Sequence, residues 1–153
     1  MLTKGDDFPI HQKPSPLAEV GSSRNFYDRY FFNGYSHEDE IFFGAVLCVY
    51  PNLNIMDAAF TIAHKGVQHN VRASRILNLE RLDTVVGPIQ VKVIEPLQKL
   101  QVLVNDKDSG INVDITFDGF TEVLQEPQMY LYDGPRKTMD TCRMVQHGSW
   151  TGQ

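Results

Sequence analysis

The chain has 153 residues, 42% of them hydrophobic, and 14 basic against 19 acidic side chains leave a formal net charge of −5. That length suits one domain, and the supply of Leu, Ile, Val and Phe is enough for a packed core rather than a disordered chain. The acidic balance, with no block of Lys or Arg, argues against nucleic acid or an anionic membrane surface as partner, and no apolar run approaches the ~20 residues of a membrane span.

Met1 to Ile10 carries Lys4, Asp6 and Asp7 and lacks an apolar core, so it does not read as a secretory signal, and a cytoplasmic protein is the default expectation. Pro9, Pro14 and Pro16 cannot donate to a ladder, and Gly21-Ser22-Ser23 follows them. Residues 1–23 are therefore expected to be an irregular arm, either lying over the domain or disordered. From Arg24 onward the pattern becomes β. Asn25 to Phe32 is rich in aromatic residues and ends at Asn33-Gly34, a turn signal. Ile41 to Tyr50 is nearly all apolar and stops at Pro51-Asn52, as a strand buried on both faces would. Ile55 to His64 and Val67 to Ile76, joined by Lys65-Gly66, form a hairpin signal.

Val85 to Ile94 reads as a strand interrupted by Gly87-Pro88, which marks an edge or a bulge, and Pro96 closes it. Leu100, Val102 and Val104 then alternate with Gln101, Leu103 and Asn105. After the charged turn Asp106 to Gly110, Ile111, Val113, Ile115 and Phe117 alternate with Asn112, Asp114, Thr116 and Asp118. This is the cleanest period-two segment, with one dry face and one polar face. No long stretch has a helical period, although Pro14 to Val20 and Leu77 to Leu82 have room for a turn of helix. Short strands separated by Gly, Pro, Asn and Asp predict an all-β antiparallel fold, a sandwich or a barrel. Residues 24–145 are assigned to it.

No Gly-rich phosphate loop, nucleophile elbow or paired-histidine metalloprotease helix is present. Cys48, inside an apolar run, reads as a buried thiol, and its distance from Cys142 gives neither a metal spacing nor a disulfide framework. His64 and His69 flank the hairpin turn, where they either stand exposed or approach a metal with Asp57. His37, among Glu38, Asp39 and Glu40, reads as part of a solvated turn. No metal site and no cofactor is predicted.

Polar groups inside apolar strands are the informative exceptions, because burying them is costly unless they are paired. Asp57 lies in Ile55-Met56-Asp57-Ala58-Ala59-Phe60, and Arg72 and Ser74 lie on one face of the following strand. With the turn at Lys65-Gly66, Asp57 and Arg72 come close to facing each other. The pair reads either as a salt bridge that fixes register or as a polar anchor or acid in an apolar cavity, its pKa shifted for proton transfer. Tyr27, Asp28, Arg29 and Tyr30 form a second group, in which Asp28 and Tyr30 share one face while Tyr27 and Arg29 share the other. That segment reads either as a ligand mouth or as a strand packing its rings on the core. Asp114 reads as solvent-facing.

The strings Arg24-Asn25-Phe26-Tyr27-Asp28-Arg29-Tyr30-Phe31-Phe32-Asn33-Gly34, Met56-Asp57-Ala58-Ala59-Phe60, Val71-Arg72-Ala73-Ser74-Arg75 and Asp83-Thr84-Val85-Val86-Gly87-Pro88-Ile89 carry a family resemblance. The chain resembles bacterial proteins of largely unassigned function related to the hydroxyneurosporene synthase-like carotenoid hydratases. The resemblance implies a lipocalin-like (calycin-type) antiparallel barrel or strongly curved sheet, corresponding to one half of a two-barrel protein. On that reading residues 146–153, with Gly148-Ser149-Trp150, resemble the start of the second barrel.

The resemblance also implies chemistry on a terpenoid chain. Adding water across an isolated alkene needs a carboxylic acid in a water-poor pocket, and Asp57 is the residue expected to supply it. Tyr27, Asp28, Tyr30, Arg72 and Ser74 are the expected ligand-binding residues. The function expected is binding of a small apolar, terpenoid-like molecule in a β-barrel cavity, or its acid-catalysed hydration or isomerisation. A non-catalytic carrier, or a half-domain that pairs with a second copy or a partner chain, is the alternative. Whether the chain is an enzyme stays open at this point.

Overall fold

A computed structural model describes residues 2–8, 24–36, 38–78, 80 and 82–153. Most of the expected N-terminal arm, the expected helical turn at Pro14 to Val20, and His37 lie outside the described residues. The described chain contains strands and short 3-10 turns but no α-helix.

Strands β1 (Asp28–Ser36), β2 (Ile41–Tyr50), β3 (Ile55–His64) and β4 (Val67–Ile76) form a four-stranded antiparallel meander. The β3–β4 hairpin has the bounds that the sequence predicts, because Lys65 and Gly66 both take positive φ, 49° and 78°, which suits a two-residue hairpin turn. Asn33-Gly34 is not a turn. β1 runs straight through it, paired with β2 at both positions, and the rings of Phe43 and Trp150 occupy the space a side chain at Gly34 would need. Leu77 and Asn78 are not helical either.

The next segments are β5 (Val85–Val86), β6 (Ile89–Glu95), β7 (Lys99–Asp106) and β8 (Ile111–Gly119). Gly87-Pro88, expected as an edge or bulge within one strand, is the turn between β5 and β6, with Gly87 at φ 57°. An excursion follows, in which β9 (Leu124–Gln125) pairs with β12 (Met144–Val145) and β10 (Met129–Asp133) pairs with β11 (Arg136–Thr141). The chain returns as β13 (Gly148–Gly152), which pairs with β8 and completes a five-stranded sheet in the order β13-β8-β7-β6-β5. The Gly148-Ser149-Trp150 segment, expected to open a second barrel, is thus a strand of this domain's own sheet.

Strand alternation turns one face of each sheet inward. Phe43, Leu47, Val49, Met56 and Phe60 of the first sheet meet Ile89, Val91, Val102, Val104 and Val113 of the second in one core. Ile111 and Ile115 pack against it, as the period-two pattern of β8 predicts. Neither sheet closes on itself. The fold is an antiparallel two-sheet stack, and the two sheets meet at two seams.

At one seam Arg75 holds the crossover from β4 to β5. Its guanidinium donates to the carbonyls of Val85 (2.7 Å), Ile76 (2.9 Å), Leu77 (3.1 Å) and Asp83, and it pairs with the Asp83 carboxylate at 3.5 Å. At the other, Trp150 of β13 sits edge-on to Phe32 and Phe43, at 5.8 and 5.1 Å between ring centroids, and donates its indole N–H to Asn33.

Candidate functional site

The inward face of β1 carries Asp28, Tyr30 and Phe32, because their cross-strand partners Val49, Leu47 and Ala45 are core residues. Beside them the seam between β1 and the β8–β13 pair leaves a cleft of about 400 Å³. That size falls within the roughly 300–1,000 Å³ of small-molecule sites. Its apolar wall includes Phe32, Leu100, Phe117, Met144 and Trp150. Its polar lining includes Asp7, Asp28, Tyr30, Gln146 and His147. Two further clefts, of about 480 Å³ beside Phe120 and about 450 Å³ beside Pro88, are more open to solvent and contain no buried ionisable group.

Asp7 is the unexpected member. Residues Lys4–Asp7 form a 3-10 turn, braced by the Thr3 backbone N–H and hydroxyl on the Asp6 carboxylate at 2.6 and 2.9 Å. The turn buries Asp7 to 8% exposure. One carboxylate oxygen accepts the Leu97 N–H at 2.9 Å, and the Asp7 carbonyl accepts the Tyr30 hydroxyl at 2.5 Å. Burial raises the Asp7 pKa against the lowering effect of the Leu97 bond. Burial also raises that of Tyr30, with the charges of Asp7 and Asp28 adding to it. The sequence holds one signal for the turn, Thr3 three residues before Asp6, but nothing that marks Asp7 as buried.

The remaining expected site residues lie elsewhere. Asp57, read from the sequence either as half of a register-fixing salt bridge or as an acid in an apolar cavity, stands on the outer face of the first sheet, since its neighbours Met56 and Ala58 take the core positions. Across the hairpin it faces Ser74, while Arg72 faces Ala59, so Asp57 and Arg72 are diagonal rather than opposed. Cys48 is the cross-strand partner of Asp57 on β2. Desolvation raises the pKa of Asp57 while the Cys48 thiol acts to lower it, and burial likewise pushes the Cys48 thiol up.

Tyr27 belongs to the same outer face, 6.0 Å from the Tyr50 ring and with the Arg29 guanidinium 5.6 Å over it. Of the expected ligand-binding residues, then, Asp28 and Tyr30 line the cleft, and Tyr27, Arg72 and Ser74 do not. His64 and His69 end up on the face opposite Asp57, and no metal-binding group of His, Cys, Asp and Glu occurs among the described residues. Both cysteines are buried and free. Asp114 is exposed, as expected.

Fold and cleft together define an all-β protein with a seam between two antiparallel sheets, lined by rings and one buried carboxyl group. The chain belongs to a family of unknown function (DUF8625), whose model matches residues 2–153. No curated protein and no solved structure matches it. No helix among the described residues is long and apolar enough to cross a membrane.

Proposed function

We propose that the chain binds a small, largely apolar molecule in the seam cleft, with its polar end toward Asp7 and Tyr30. The observation that carries this reading is a buried carboxyl group beside a phenol in a cleft otherwise walled by Phe32, Leu100, Phe117 and Trp150. Apolar walls with a few convergent polar groups and a shifted pKa are the usual make-up of a ligand site. The terpenoid-like ligand that the hydratase-related resemblance implies suits such walls.

A second reading is acid catalysis, favoured by the raised pKa of Asp7. A carboxyl group whose burial favours the protonated form is suited to protonate an alkene held against the rings. Asp7 takes the acid role in this reading, since Asp57 faces away from the cleft.

Native mass spectrometry of the gently purified chain tests the first reading. A retained apolar adduct, lost on competition with 1-octanol, supports it, and repeated purification with neither an adduct nor octanol uptake rejects it. Incubation of the chain with a terpenoid alkene in H₂¹⁸O tests the second. Isotope incorporation that disappears in Asp7→Asn supports acid hydration, and its persistence in that variant removes Asp7 from the chemistry.

A further inference from the structure

The apolar walls of the seam do not account for the electrostatics of Asp7. Its carboxylate is buried, one oxygen has the Leu97 N–H, and no hydrogen bond or ion pair reaches the other among the described residues. Tyr30 donates to the Asp7 backbone rather than to its carboxylate. A buried carboxylate with a single neutral donor is poorly compensated.

The basic side chains of the lining do not supply the missing partner. The Arg29 guanidinium is stacked over Tyr27 on the outer face, and His147 is exposed. The charges of Asp7 and Asp28 both reach the Tyr30 phenol. A ligand that brings its own positive charge completes such a site, whereas an anionic head would meet repulsion.

Resting on the reading of the seam as an apolar-ligand site, we propose that its ligand is an amphiphile with a protonated amine head. The ammonium sits on the Asp7 carboxylate and the hydrocarbon lies against Phe117 and Trp150.

The chain has one tryptophan, Trp150, which lines the cleft and reports binding by its emission. The experiment titrates the full chain at neutral pH with octylamine, 1-octanol and octanoate, which share a chain and differ in head. Octylamine is expected to bind at least about tenfold more tightly than either of the others, the scale of one charge-assisted hydrogen bond. That preference is expected to vanish in Asp7→Asn and to weaken with added salt in the unmutated chain.

The comparison of head groups in the unmutated chain stands even if the variant folds poorly. Equal affinity for octylamine and octanol, or tighter binding of octanoate, overturns the amine head and leaves the apolar site intact. Failure of all three to bind overturns the proposal together with the reading of the cleft on which it rests.

Discussion

Trp150 donates its indole N–H to the carbonyl of Asn33, 117 residues earlier in the chain, at 3.1 Å. That bond joins the outer strand of one sheet to the outer strand of the other, and it forms one border of the cleft. Position 34 can only be small here, because the rings of Phe43 and Trp150 pack where a Cβ would project.

Trp150→Ala should therefore cost stability as well as binding. Loss of a large, partly exposed ring from this packing is expected to destabilise the fold by about 3 kcal/mol, the low end for aromatic-to-alanine changes. Trp150→Phe keeps a ring and loses the hydrogen bond, for a cost of about 1 kcal/mol. Urea denaturation followed by circular dichroism measures both, and equal costs would mean that ring packing does not hold the seam.

Arg75 is the corresponding fastener at the opposite seam. Arg75→Lys retains the charge but cannot reach the carbonyls on both sides of the β4–β5 crossover at once. A loss of about 2–3 kcal/mol is expected, since hydrogen bonds from a charged donor are stronger than neutral ones. A denaturation midpoint matching that of the unmutated chain would contradict this account of the crossover.

Asp7 makes a prediction with a definite sign. Burial raises its pKa in the folded chain above the unfolded value, so between the two values the folded state holds a proton that the unfolded state has released. The stability it contributes is present below the unfolded value and is lost as pH rises through the folded one. Asp7→Asn removes the charge and keeps an oxygen for the Leu97 N–H. Its melting temperature relative to the unmutated chain should be highest near about pH 7 and should fall toward about pH 4. A difference that stays constant across that range would show that Asp7 titrates normally.

Asp57 separates the two faces of the first sheet. Asp57→Asn alters the polar contact with Cys48 on the outer face and leaves the cleft untouched. Octanol binding, read from Trp150 emission, is expected to be unchanged, while Asp7→Asn alters the response to head group. Loss of binding in the Asp57 variant would return the site to the outer face.

The strands were legible because period-two alternation and turn chemistry are local properties. Ile111 to Asp118 declares its buried face residue by residue, and Lys65-Gly66 sets a two-residue hairpin. What was not legible depends on contacts between distant parts of the chain. Asn33-Gly34 resembles a turn until the rings that pack on Gly34 are known. Asp57 interrupts an apolar run, but alternation alone does not say which of its two faces meets the second sheet. Asp28 and Tyr30 were correctly paired on one face of β1, and only the second sheet reveals that this face borders a cleft. Asp7 acquires its environment from Tyr30 and Leu97, 23 and 90 residues away.

The central claim is that a small apolar molecule binds between β1 and the β8–β13 pair. Isotope-filtered nuclear Overhauser spectroscopy on the labelled chain with unlabelled octylamine or 1-octanol addresses it directly. The account predicts contacts from the alkyl protons to the Trp150 indole and to the ring of Phe117. Contacts to Phe42 and Ile55 instead, both exposed on the outer face of the first sheet, would contradict it.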